Sequence, residues 1–111
     1  MGTERKPRIM YIECKQESLL GPARIGRVSF SKTRITLYYG GKAFERMKNN
    51  GGKANYFKVG TGEEYWISGP KHDGNDRLYR SNIPVHIDED VRDEYWTEIR
   101  QKPALKDRNT T

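Results

Sequence analysis

Along most of the chain, apolar and polar positions alternate with a period of two and are interrupted by glycine-containing turns. Arg8–Lys15 (RIMYIECK) carries β-favouring residues and predicts a first strand. Gln16–Pro22 reads as a loop, with Gly21-Pro22 marking a turn. In Ala23–Ser31, Gly26, Val28 and Phe30 share one face and Arg27 and Ser29 the other. Thr33–Tyr39 repeats the pattern, with Ile35, Leu37 and Tyr39 opposite Arg34, Thr36 and Tyr38. The short polar stretch Ser31–Arg34 joins these two runs as a hairpin. Gly40-Gly41 supplies the positive φ angles of a two-residue turn into a fourth strand, beginning at Lys42–Phe44. Glu45–Lys53 predicts a flexible, basic loop. Asn55–Val59 and Tyr65–Gly69 follow as strands around the turn Gly60–Glu63. Asp73-Gly74 turns the chain again, and Arg77–Tyr79 and Ile83–Ile87 read as short strands. Pro84, lacking an N–H, suits a sheet edge.

The period then changes. Asp88 is a good N-cap residue, Glu89 and Asp90 suit the first turn, and Val91, Tyr95 and Ile99 recur at four-residue spacing beside Trp96. Pro103 ends this predicted helix of residues 88–100, and Ala104–Thr111 is expected to fray. Short strands closed by turns and followed by one helix predict a mainly β domain. An SH3-like barrel is the preferred picture, and a strongly bent antiparallel sheet is the alternative. The domain spans residues 8–103, between a flexible basic N-terminus (1–7) and a flexible tail.

The length of 111 residues fits one core. Its 33% hydrophobic content is low, but seven Tyr, three Phe and two Trp supply bulky surface that disordered chains lack. If Lys and Arg only solubilise the sheet, Tyr39, Phe57 and Trp66 are expected to fill the core. No apolar run is long enough to span a bilayer, and none follows the basic start as a signal sequence would. Cys14 is the only cysteine, which excludes an intrachain disulfide and points to a cytoplasmic protein with no membrane partner. The net charge of +6 is uneven: residues 1–58 hold 13 Lys/Arg against 4 Asp/Glu, whereas residues 88–111 hold 5 against 7. A basic half of this kind suits a polyanion, or only solubilises the surface.

Four stretches read together as a pattern: GPARIGRVSFSK (Gly21–Lys32), GEEYWISGPK (Gly62–Lys71), DGNDRLY (Asp73–Tyr79) and IPVHIDEDVRDEYW (Ile83–Trp96). They resemble a family of short bacterial proteins without an established function, and the similarity runs from about Arg8 to Pro103. That family carries a Gly-Lys pair in the hairpin where Arg34-Ile35 stands here. Some members bear the label 1-deoxy-D-xylulose-5-phosphate synthase. That enzyme is similar to transketolases and holds thiamine diphosphate through a Gly-Asp-Gly motif. The motif is absent from this chain, so the resemblance implies no cofactor residue and no catalytic residue.

Candidate chemistry is sparse. His72 and His86 match no zinc spacing, and a lone cysteine cannot complete one. Gly60-Thr61-Gly62 lacks the Lys-Ser/Thr of a P-loop and precedes a strand. No motif pairs Cys14 or a serine with a histidine as nucleophilic catalysis needs. No cofactor, no metal and no enzymatic activity are therefore expected. The remaining signal is basic and aromatic: Arg27, Arg34, Tyr38, Lys42, Lys48, Lys53 and Tyr56 form the expected binding face. A protein-binding or self-associating module, with an unknown protein partner or a second copy, is the first reading. Single-stranded nucleic acid, held by cations and stacked on rings, is the alternative.

Overall fold

The computed structural model describes residues 5–16, 21–48, 54–77 and 83–111, and it is mainly β. Six strands follow one another along the chain: β1 (Arg5–Cys14), β2 (Ala23–Phe30), β3 (Thr36–Tyr39), β4 (Lys42–Arg46), β5 (Tyr56–Lys58) and β6 (Glu64–Ser68). Each pairs antiparallel with the next, and β6 returns to β1 through Cys14↔Tyr65 and its neighbours, which closes a barrel. A seventh strand, β7 (His86–Ile87), lies outside and runs parallel to the start of β2. A short C-terminal helix completes the expected architecture.

The period-two pattern explains the two cores. Met10, Ile12, Val28, Phe30, Leu37, Phe44, Tyr56 and Ile67 fill the barrel. The outer face of β1 and β2 is apolar as well. Its Ile9, Tyr11, Ala23 and Ile25 are covered by Val85, Ile87, Val91, Tyr95 and Trp96. Each fully buried side chain of this size contributes about 1.5–3 kcal/mol. The rings at the centre are Tyr11, Phe44, Tyr95 and Trp96, whereas the expected core residues Tyr39, Phe57 and Trp66 stay half-buried.

Several elements differ from the sequence pattern for local reasons. β1 begins at Arg5, inside the stretch expected to be flexible. β3 begins only at Thr36, because Ser31 accepts from Arg34 N (3.0 Å) and donates its own N–H to Thr36 O (2.8 Å), making residues 31–36 the turn. Arg34 there takes φ +66°, the left-handed region that glycine enters without strain, and Ile35 is 54% exposed instead of facing the core. Gly40 and Gly41, at φ +60° and +77°, make the expected tight turn between the paired Tyr39 and Lys42. The basic loop starts later than expected, since Glu45 and Arg46 belong to β4, and residues 49–53 lie outside the described residues. Pro84 precedes the two-residue β7, and Arg77 is not in a strand; Leu78 and Tyr79 lie outside the described residues.

The helix is not a uniform α-helix. Glu89–Val91 is a 3₁₀ turn, Arg92–Glu94 is α and Tyr95–Ile99 is π, with Arg100 N bonded to Tyr95 O at 2.9 Å. Its apolar stripe is buried as the spacing predicts, but Asp88 makes no side-chain capping bond. The tail does not fray. Asn109 O accepts from Ile87 N (2.8 Å), Thr111 N donates to Val85 O (3.0 Å), and Thr110 bridges His86.

Candidate binding clefts at the two ends of the barrel

β2 has two different neighbours along one edge. Its end pairs with β3 only through Ser29↔Tyr38 and Phe30↔Leu37, whereas its start pairs with β7 through Arg24↔His86 and Ile25↔Ile87. β3 and β7 therefore splay apart, and Gly26 sits between them. The Asp88 carboxylate ties the wedge together: Oδ2 accepts from the Tyr39 hydroxyl, and Oδ1 accepts from Arg24 Nε at 2.7 Å. A methyl group on Gly26 would strike the Tyr39 ring and the Asp88 carboxylate, so only glycine leaves room for the tie. Burial first, and then the bond to Asp88, holds the Tyr39 phenol well above its usual range, so it remains a donor at neutral pH.

Above this tie the barrel mouth opens into a cleft of about 650 Å³. Ile12, Phe44 and Tyr65 form its floor, with Phe44 and Tyr65 in edge-to-face contact at 4.8 Å. Cys14, Ala23, Ile83 and Pro84 continue the apolar lining, and exposed Arg24, Lys42 and His86 stand at the rim. Tyr65 is pushed up to about 12, by burial first and then by its cross-strand neighbour Cys14. Arg24 is already paired with Asp88, whereas Lys42 makes no ion pair among the described residues.

Beside this mouth lies a buried charged cluster that sequence patterning misses. Glu13 is fully buried. Its carboxylate accepts from Tyr11 (2.6 Å), Arg77 (3.0 Å) and Gly21 N (3.1 Å), with Lys15 Nζ at 2.9 Å. A buried carboxylate is tolerated because donors surround it. The cluster pins the start of β2 to Arg77, which also reaches Gly21 O and Pro84 O. Gly21 has no room for a side chain, since a Cβ would collide with the Cys14 carbonyl.

The opposite mouth is basic. Arg8, Arg34 and Arg46 line an opening of about 270 Å³ with Phe30, Asn55, Tyr56 and Trp66.

The expected binding residues do not share one face. Arg27 and Tyr38 flank a shallow hollow near Gly40, where Arg27 is paired with Glu94 at 2.8 Å. Arg34 is not on the outward face of β3 beside Tyr38; it lies in the preceding turn and at the basic mouth. Lys42 belongs to the apolar cleft. Tyr56 is only 7% exposed and fills the barrel, so it offers no stacking surface. Lys48 is exposed just past β4, and Lys53 lies outside the described residues. His72 Nδ1 lies 2.8 Å from the Ile99 carbonyl oxygen, apart from His86 at the cleft rim. Sequence reasoning missed Ile12, Phe44 and Tyr65 as a cleft floor, because inward-facing strand residues read simply as core.

No family model, curated protein or solved structure matches the chain.

Proposed function

We propose that the protein is a non-enzymatic binding module that takes an apolar side chain of an acidic protein partner into the cleft at the apolar barrel mouth. The supporting observation is the cleft itself: a floor of Ile12, Phe44 and Tyr65 beneath a rim whose Lys42 is unpaired among the described residues. Its volume of about 650 Å³ suits one large side chain and its neighbours, and an exposed ammonium group at the rim favours a carboxylate beside that side chain. Cytoplasmic residence accords with the lone cysteine. Among the described residues no helix is long and apolar enough to cross a membrane.

Self-association through strand edges is the weaker form of this reading. Strands β1–β6 are paired on both sides by barrel closure. β7 lies between β2 and the tail residues Asn109 and Thr110. The partner is therefore a different chain that reaches the cleft with its side chains.

Peptide display against the folded domain tests the reading. Selected sequences should pair an aromatic or branched apolar residue with Asp or Glu. Their binding should weaken in Lys42→Glu and be blocked in Cys14→Phe, which fills the cleft. Binders indifferent to both substitutions would move the partner elsewhere and remove this function.

A further inference from the structure

The basic mouth has a chemistry that the apolar cleft does not share. Arg8 comes from β1, Arg34 from the β2–β3 turn and Arg46 from the end of β4, and all three are exposed around one opening. Among the described residues no Asp or Glu lines it. Arg24, Arg27 and Arg77 each meet a carboxylate elsewhere on the surface or in the core. Arg8, Arg34 and Arg46 form no ion pair among the described residues. Folding thus collects three like charges from separate parts of the chain, with no counter-charge paired to them among the described residues.

Local contacts hold two of these side chains near the opening. The Arg34 guanidinium stands over the Phe30 ring at 5.5 Å, and an Arg8 terminal nitrogen lies beside Gly69, 3.6 Å from where a Cβ would sit. Asn55 is already satisfied: its side chain bridges the Ile67 N–H and carbonyl at 2.8 Å each, holding β5 and β6 at the rim. The recognition chemistry left over is guanidinium, a planar fork that matches phosphate oxygens in bidentate pairs.

We propose that this mouth binds a phosphate group through Arg8, Arg34 and Arg46. Its volume of about 270 Å³ falls below the roughly 300–1,000 Å³ of whole small-molecule sites, so it takes the phosphate and leaves the remainder of the ligand outside. The half-buried Trp66 at the same opening lies where a base or another flat group attached to that phosphate would pass. The phosphate belongs either to a single-stranded nucleic acid or to a small phosphorylated molecule. The two mouths share no lining residue, so this proposal stands apart from the apolar-cleft reading.

The experiment titrates the full chain with fluorescein-labelled single-stranded oligothymidine and, in parallel, with inorganic pyrophosphate, following Trp fluorescence. Variants are Arg8→Gln/Arg34→Asn/Arg46→Gln, with Asn chosen because it tolerates left-handed backbone, and Lys42→Gln at the other mouth as a control. The triple variant should bind at least about tenfold more weakly, while Lys42→Gln leaves affinity unchanged. For the oligonucleotide, the logarithm of affinity should fall with that of salt at a slope of about −0.7, the value for one neutralised single-strand phosphate. Tighter binding of the oligonucleotide identifies a nucleic acid as the source, and equal binding of pyrophosphate identifies a small phosphate. Binding that survives the triple substitution, or no binding of either probe at low salt by a variant-matched folded wild type, overturns the proposal.

Discussion

Gly26 and Asp76 show how much single positions decide here. At Gly26 the missing side chain lets the Tyr39 hydroxyl reach Asp88 across the wedge between β3 and β7. Gly26→Ala should cost about 1–3 kcal/mol in urea denaturation, as overpacking does. If the clash is with Tyr39, the cost should shrink in a Tyr39→Ala background; strict additivity would place the strain elsewhere. Asp76 is 4% exposed. Its Oδ1 accepts from Lys71 N at 2.6 Å, and its Oδ2 has no hydrogen-bond partner among the described residues. Burial raises its folded-state pKa, so the native chain holds this proton more tightly than the unfolded one. The resulting stabilisation is complete below the ordinary carboxylate value and is lost as pH rises through the raised one. Relative to Asp76→Asn, the wild type should therefore gain stability as pH falls from neutrality towards 4. A stability difference that does not change with pH would contradict this assignment. Neither effect was legible in the sequence: a lone Gly within a strand names no neighbour, and Asp76 reads as one more polar residue in a turn.

At the scale of elements, alternation marked β2 and β3, because a strand with one buried face must repeat every second residue, and β-favouring residues with glycine turns located the other barrel strands. It failed at the hairpin before β3, where Ile35 keeps the apolar period but backbone bonding has already committed residues 31–36 to the turn. The C-terminal tail was illegible for a different reason. It is held mainly by backbone groups, which every sequence possesses, and by the Arg108 carbonyl accepting from Trp96 Nε1 at 3.0 Å. Trp96 is 1% exposed, in edge contact with Tyr95, with the Arg100 guanidinium 5.0 Å from its ring centre. Deleting residues 107–111 removes these bonds and bares the edge of β7. At about 0.5–1.5 kcal/mol per bond, the loss should be about 2–3 kcal/mol, a fall in Tm on the order of 10 °C. An unchanged melting temperature would return the tail to the frayed state expected from its composition.

At the scale of the whole molecule, the chain's charge asymmetry is partly settled within one copy. Arg27 meets Glu94, and Arg24 meets Asp88 at the start of the helix, so acidic residues of the C-terminal segment offset part of the basic half. These exposed pairs are worth little individually, but they remove two of the cations a polyanion would have used. Among the cations that form no ion pair with the described residues, Lys42 stands at the apolar mouth and three arginines stand at the other. Of the seven residues singled out in the sequence, Arg27, Arg34, Tyr38, Lys42 and Tyr56 are distributed between these ends, a third hollow and the core. Spacing along a strand reports which face a residue takes, not which end of a barrel it reaches.

Sequence alone determined the class of fold, the inward face of most strands and the buried stripe of the helix, because burial of apolar groups imposes a local period. Tertiary structure alone decided closure of β6 onto β1, the division of β2 between β3 and β7, and with them both clefts. Those features rest on pairings between distant segments. Backbone hydrogen bonds supply the pairing without regard to side chain, and the particular neighbours are selected only when the whole core is assembled.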